Sequence, residues 1–256
     1  MNTVLQADEF NVLWRLAGLD EKPLPLDPPE QGVTRSEVAA ARERATEALL
    51  DRGLLLGTTV ADDIAKALRL LARPEVAVDL RWAGDGLDIG ALAVRRGERA
   101  VGGVYDGDTV TLYTLRPSGH ITELVAVLGD HPRGEGSSVS LPTDLLDQAR
   151  HTQTGSGRAF ENSLRRNRVS SEDAGQLRTV VEAPRHRGGQ VGVTINDRLG
   201  RSARGPWTIT VLDTDLGRYT IHQRAGYTTV APADTSRIIT MVHELLDNTR
   251  PLGPGS

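Results

Sequence analysis

Three side chains in the C-terminal half, Asp213, Asp215 and His222, are of the types that acid–base or metal chemistry uses. Carboxylates and imidazoles transfer protons and bind metal ions. The two aspartates, however, belong to residues 213–217 (DTDLG), whose composition is typical of a tight hairpin turn in which Asp bonds to its own backbone. His222 has no second histidine at metal-ligand spacing. The pattern favours a structural role, with no catalytic residue and no metal ligand.

These residues lie in the stretch 205–234, which predicts an antiparallel meander. Residues 207–212 alternate apolar and polar side chains with the period of two expected of a strand, and residues 218–222 alternate again after the turn. Gly217 is predicted to take a positive φ in the turn, with Tyr219 packed and Arg218 paired. The predicted structural motif consists of Asp213, Gly217, Arg218 and Tyr219.

Motifs of common enzymes and nucleotide-binding proteins are missing from the sequence. No serine stands in a GxSxG elbow, and no glycine-rich segment has the strand–loop–helix context of a phosphate loop. Three arginine clusters, at 165–168, 185–187 and 201–204, could contact phosphates, but no aromatic residues interleave with them and the net charge is −4. We therefore expect no cofactor and no nucleic acid. A small hydrolase or transferase with dispersed catalytic residues is the alternative function.

The elements that position these residues occur twice along the chain. Each half reads helix, helix, proline, four strands and helix, with Pro74 and Pro184 at equivalent points. We interpret this as a diverged duplication with quasi-repeats at about 34–129 and 142–248. The predicted fold is α+β: a central antiparallel sheet flanked by helical bundles, in two quasi-symmetric halves. One domain is expected over 1–250, with 251–256 as a flexible tail or cloning scar.

Three ordered segments carry a family resemblance. They are GQVGV at 189–193, LDTDLGRY at 212–219 and TTVAPAD at 228–234, followed by a closing leucine-rich helix. Together they resemble EspG, the cytosolic, substrate-specific chaperone family of actinobacterial type VII (ESX) secretion, from about residue 4 to residue 246. The resemblance implies an EspG-like sheet with quasi-symmetric halves.

The resemblance also implies a function and partners. A chaperone of this family binds a helical PPE-like substrate, carried as a PE–PPE heterodimer, keeps it soluble and delivers it to the ESX machinery. It is not an enzyme; the secretion ATPase is an optional further partner, and the protein itself is expected to be a monomer or weak homodimer. The family's contact surface involves a loop between early strands and the second-half helical bundle, here residues 82–87 and 160–177. The expected partner-binding residues are Trp82, Asp85, Leu87, Phe160, Leu164, Arg165, Val169 and Leu177.

The role of Trp82 has two interpretations at this point. It ends a strand at the compact turn Gly84-Asp85-Gly86, where longer family members have an extended loop, and a tryptophan there can anchor a partner. Alternatively, it continues the apolar face of the strand into the core. An anchor would be at least partly exposed in the free protein, whereas Trp207, in the middle of a predicted strand, is expected to be a core residue.

Composition limits the location of the protein. The sequence of 256 residues has no cysteine, which excludes disulfides and cysteine-bound metals. No apolar run approaches the roughly 20 residues of a membrane-spanning helix, so no membrane insertion is expected. Asp8 and Glu9 stand where a signal peptide would have its charged and apolar regions. A cytoplasmic location is expected.

Overall fold

The computed structural model describes residues 1–151 and 157–250, and most of its strands form one large antiparallel sheet. The predicted tail at 251–256 lies outside the described residues. The helices of the described chain are α1 (Ala7–Leu16), α2 (Arg35–Asp51), α3 (Asp62–Ala72), α4 (His120–Ala126), α5 (Thr143–His151), α6 (Gly157–Arg166), α7 (Ser171–Glu182) and α8 (Thr235–Asp247). Its strands are β1 (Asn2–Gln6), β2 (Leu55–Leu56), β3 (Thr59–Val60), β4 (Val76–Gly84), β5 (Leu87–Arg96), β6 (Arg99–Tyr105), β7 (Thr109–Leu115), β8 (Val139–Pro142), β9 (Arg185–Asn196), β10 (Ser202–Arg204), β11 (Ile209–Thr214), β12 (Gly217–Arg224) and β13 (Tyr227–Pro232).

The order of strands in the large sheet is symmetric: counted from either end, strands of the two halves follow one another in the same succession. It is β1-β7-β6-β5-β4-β9-β11-β12-β13-β8, with β10 added to β9, and every pairing is antiparallel. The two halves join where β4 pairs with β9. The predicted α+β fold with a central antiparallel sheet is confirmed.

Each half is longer than the predicted repeats. The element order recurs from β1 with α1 and from β8 with α5, and in both places the helix begins at the residue after the edge strand. Pro142, the first residue of the predicted second repeat, is the last residue of β8. The limits 34–129 and 142–248 therefore omit an edge strand from each half and α1 from the first. A common origin of the halves, and one domain over 1–250, stay predictions.

The two faces of the sheet are covered differently. On the first face, α4 and α8 pack over the centre, where Val78, Leu80 and Trp82 of β4 meet Val191 and Val193 of β9. We call the opposite side the second face. It carries helices only toward its ends: α1, α2 and α3 cover the first half, and α5, α6 and α7 cover the second half. The second face is therefore the one with room for a site.

Local sequence explains where several helices begin. A capping box begins α2: Thr34 Oγ1 accepts from the Glu37 backbone N–H at 3.2 Å, and the Glu37 carboxylate accepts from the Thr34 N–H at 3.0 Å. Helix α3 begins at Asp62, after a small separate hairpin in which Thr59 pairs with Leu56. Among the described helices, none combines the length and apolar character that crossing a bilayer requires.

Candidate partner-binding site

An open cleft lies on the second face, between the strands of the second half and the helices above them. Its volume is about 840 Å³. The helices contribute the apolar side chains of Leu146, Phe160, Leu177, Val180 and Val181, and the strands contribute Leu212, Ile221 and Val230. Cavities of this size with apolar walls are typical of binding sites. We call this space the second-half cleft.

A small core packs the helices that wall the cleft against the sheet. Phe160 and Leu164 of α6 and Leu177 of α7 form a buried cluster with Tyr219 and Val230 of the sheet. The cleft opens because the polar neighbours along the strands, such as Thr210 of β11 and Gln190 of β9, face the same space. The floor is thus a mixture of apolar and hydrogen-bonding groups.

Charged side chains line the same cleft. Asp147 and Arg150 belong to α5, and Arg185 is the first residue of β9. Within the described chain, none of the three has an ion pair. An acid and two guanidinium groups that have no ion-pair partner among the described residues, beside a floor of apolar and hydrogen-bonding groups, can select polar groups of a partner.

Trp82 is a core residue, so the interpretation of this side chain as an exposed anchor is wrong. Its side chain is 1% exposed and lies on the first face, away from the cleft. The ring packs 5.8 Å from the guanidinium carbons of both Arg187 and Arg218. It is buried because β4 is a central strand, paired with β5 and β9, and covered by helices.

The turn after Trp82 is exposed and very short. Asp85 and Gly86 have φ values of 50° and 78°, the left-handed pair that a two-residue hairpin requires. Leu87 is 44% exposed. A carboxylate oxygen of Asp85 lies 3.9 Å from His186 Nδ1, next to the cleft-lining residue Arg185. The turn therefore neighbours the mouth of the cleft without lining it.

The helical residues expected to contact a partner divide into three groups. Phe160, Leu164 and Leu177 are at most 2% exposed, so these side chains are core residues rather than exposed anchors; Phe160 and Leu177 still form part of the cleft wall. They are buried because the apolar stripes of α6 and α7 pack on each other and on the sheet. Val169 is half-buried against the same core. Arg165 is exposed, 3.9 Å from Glu161.

The turn motif forms a buried ion pair, as the sequence predicts. Arg218 donates from Nε and Nη2 to the two carboxylate oxygens of Asp213, at 2.6 and 2.9 Å, and both side chains are fully buried. Arg218 Nη2 also donates to the Leu128 carbonyl at 3.1 Å, beyond the end of α4. Gly217 has φ 104°. The Tyr219 hydroxyl donates to a backbone carbonyl at 3.0 Å, and burial raises the pKa of its phenol.

The three residues considered for acid–base chemistry do not assemble. Asp213 is held by Arg218, whereas Asp215 is bonded to His186 at 2.5 Å. Burial, followed by the charge of Arg237, lowers the pKa of His222, which makes no hydrogen bond to either aspartate in the described chain. In the part of the chain that the structure describes, no three His, Asp or Glu side chains gather as metal ligands would.

Sequence reasoning missed most of the cleft. Trp207, expected in the core, precedes β11, is half-buried and borders the cleft with its ring 4.8 Å from the Arg224 guanidinium. Asp147, Arg150 and Val181 were not singled out either. The only sequence signal for this part of the cleft was the presence of two charged residues, Asp147 and Arg150, on the amphipathic helix α5. Sequence alone assigns such residues to solvent.

The fold and the cleft are those of a two-halved α+β protein with an open cleft of mixed apolar and polar lining between its sheet and its second-half helices. The chain belongs to the EspG family, whose sequence model matches residues 6–244. A solved structure is similar in fold: the Mycobacterium tuberculosis type VII secretion system chaperone EspG5, in complex with a PE25–PPE41 dimer. The TM-score is 0.76 at 16% identity, over 98% of this chain and 97% of that chain. No curated protein matches the chain.

Proposed function

We propose that the chain is a cytoplasmic chaperone of type VII secretion, without catalytic activity or cofactor. It binds a PE–PPE-like helical substrate in the second-half cleft, keeps the apolar tip of the substrate from aggregating, and delivers it to the secretion machinery. The observation that carries the proposal is the cleft of about 840 Å³ with its apolar walls, in a chain of the EspG family. EspG5, similar in fold, is a chaperone solved in complex with such a dimer.

The physical reason for binding is apolar burial. Val181 of α7 and Ile221 of β12 are half-buried and present apolar surface to the cleft, and covering it with a partner removes that surface from water. We therefore place the partner over the cleft and the turn at Asp85, with Arg165 and Val169 as peripheral contacts.

The test is co-expression with a PE–PPE-like dimer encoded at the same locus, followed by size-exclusion chromatography with light scattering. We expect one chaperone per dimer. Val181→Arg, which puts a charge into the cleft wall, should weaken the complex about tenfold or more, a free-energy change of about 1.4 kcal/mol. The matched control is Val127→Arg, at an equally half-buried position beyond the end of α4 on the first face. Loss of the complex with both variants, or with neither, would contradict the proposed site.

Salt dependence separates this mode from an electrostatic one. Apolar burial is not screened by ions, whereas exposed charge pairs are. The affinity should therefore change little between low and moderate salt. A collapse of affinity over that range would favour an arginine-led interface instead.

A further inference from the structure

The second-half cleft has a counterpart in the first half of the fold. Strands β5 and β6 occupy the places in the first half that β11 and β12 occupy in the second, counted outward from the β4–β9 junction. Helix α1 follows the edge strand β1 just as α5 follows β8. The space between α1 and the second face of β5 and β6 therefore corresponds to the second-half cleft.

In the first half, this space is filled by the chain itself. Residues 17–34 connect α1 to α2, and their short 3-10 turn, Leu24–Leu26, lies on the sheet. Leu26 is fully buried in the first-half core. The Pro25 carbonyl lies over Gly90 and the Leu26 side chain over Gly103, so close that a Cβ at either glycine would overlap them. The occupant is thus a short apolar segment with the sequence Pro-Leu-Pro-Leu.

Two polar residues of α1 hold the backbone around that segment. Asn11 Nδ2 donates to the carbonyls of Pro28 and Pro29 at 3.4 and 3.3 Å. Trp14 Nε1 donates to the carbonyl of Asp20 at 2.8 Å. Each contact satisfies a backbone group that the fold removes from water.

The corresponding residues of α5 face the cleft. Aligned from the first residue of each helix, Asn11 corresponds to Asp147 and Trp14 to Arg150. Both line the second-half cleft, and neither has a partner among the described residues. The second half has only residues 152–156 between its first two helices, and no part of the described chain is seated in the cleft.

We propose that the cleft takes an extended, leucine- and proline-containing segment of the bound substrate, as the first-half groove takes Pro25 and Leu26. Asp147 accepts a backbone N–H of that segment, and Arg150 donates to one of its carbonyls. The assignment rests on the proposed function and deepens it: the element that enters the cleft is extended backbone and not the face of a helix. Residues 23–26 in the first-half groove show, within the same chain, how such a segment packs on the sheet.

The absence of cysteine from the sequence makes a direct test possible. Thr210→Cys places a single thiol on the cleft floor, and Thr240→Cys places a control thiol on the exposed side of α8. Each variant is equilibrated, under partial reduction, with a cysteine-led peptide carrying Pro-Leu-Pro-Leu or with the same peptide carrying serine for leucine. We expect the cleft thiol to retain the leucine peptide about tenfold better, as a disulfide, and the control thiol to retain both equally.

Variants of the polar residues test the backbone contacts. With the cleft thiol present, Asp147→Asn and Arg150→Ala should each reduce retention of the leucine peptide about threefold or more, because each removes a charge-assisted hydrogen bond. Asp144→Asn, exposed at the start of the same helix, is the matched control and should have no effect.

The outcomes separate this inference from the proposed function. Equal retention of both peptides, or better retention of a helical peptide with the same leucine content, would overturn the inference. The chaperone function would still stand if the substrate complex formed and Val181→Arg disrupted it. If instead the leucine peptide were captured but no PE–PPE-like dimer bound, the proposed function would fail and the extended-segment site would remain.

Discussion

Replacing Trp82 with alanine should destabilise the fold, and the structure gives the size of the effect. The side chain is 1% exposed and packs among Val78, Leu80 and the helices of the first face. Truncating a packed tryptophan to alanine costs about 3–5 kcal/mol, from the lost burial and the cavity that remains. For a chain of this size, each kcal/mol lowers Tm by roughly 2–4 °C, so Trp82→Ala should melt about 6–20 °C lower.

Trp207 provides the comparison. It is half-buried at the edge of the cleft, and one of its contacts is the cation–π pair with Arg224 at 4.8 Å. That pair contributes about 0.5–1 kcal/mol, and the ring is also partly packed against the first-face core, so Trp207→Ala should cost about 2–3 kcal/mol, less than Trp82→Ala. Urea unfolding followed by far-ultraviolet circular dichroism measures both variants without relying on the tryptophan signal that they remove.

The reasoning about Trp82 can be refuted by the same experiment. If Trp82→Ala unfolded at nearly the wild-type urea concentration, with an unchanged m-value, the side chain would not be packed as described. If it then also weakened the substrate complex, the first interpretation, an exposed anchor, would be restored. A loss of binding in proportion to the loss of folded protein is the outcome that the buried ring predicts.

Three further predictions concern single features of the fold. Gly217→Val should lower Tm strongly, because φ is 104° and a Cβ would lie 2.7 Å from the Arg133 carbonyl oxygen; Gly226→Ala, at φ 80° with open space around it, should cost only about 1 kcal/mol. Asp213→Leu should cost about 3–5 kcal/mol in urea unfolding, because it leaves the buried Arg218 unpaired, and adding Arg218→Met should recover part of that loss. Burial lowers the pKa of His120, so the unfolded chain takes up this proton first as pH falls. The free energy of unfolding should therefore decline below about pH 6.5, and His120→Gln should make the decline shallower in urea melts at several pH values. An unchanged pH dependence in that variant would contradict the assignment.

The general fold could be predicted because its determinants are local. The alternation along β4 to β7, the turn residues between them and the prolines before β4 and β9 all act over a few residues. The edge strand β8 escaped prediction because four residues ending in proline carry too little alternation to be recognised. It is a strand only because β13 presents a free edge beside it.

The roles of the two tryptophans could not be predicted, because they depend on the position of each strand in the sheet. Trp82 and Trp207 both stand in alternating apolar patterns, two residues from a glycine. The pairing of β4 with β9 puts Trp82 at the centre of the molecule, whereas Trp207 lies before β11 begins, at the border of the cleft. The register between distant strands decides whether each tryptophan lies in the core or at the border of the cleft. The local sequence around either tryptophan does not encode that register.

The difference between the halves explains why one groove is filled by the chain itself and the other is open. In the first half, Gly90 and Gly103 have no side chains, so the backbone at Pro25 can lie directly on the sheet. In the second half, the floor is built from larger side chains, including Thr210 and Ile221, which keep any occupant further from the strands. A substrate segment held at that distance buries less of its backbone than the intramolecular segment of the first half does. It therefore dissociates more readily. A chaperone that must release its substrate benefits from such a shallower groove, so Thr210→Gly should tighten binding of the leucine peptide, and weaker binding would argue against a shared mode.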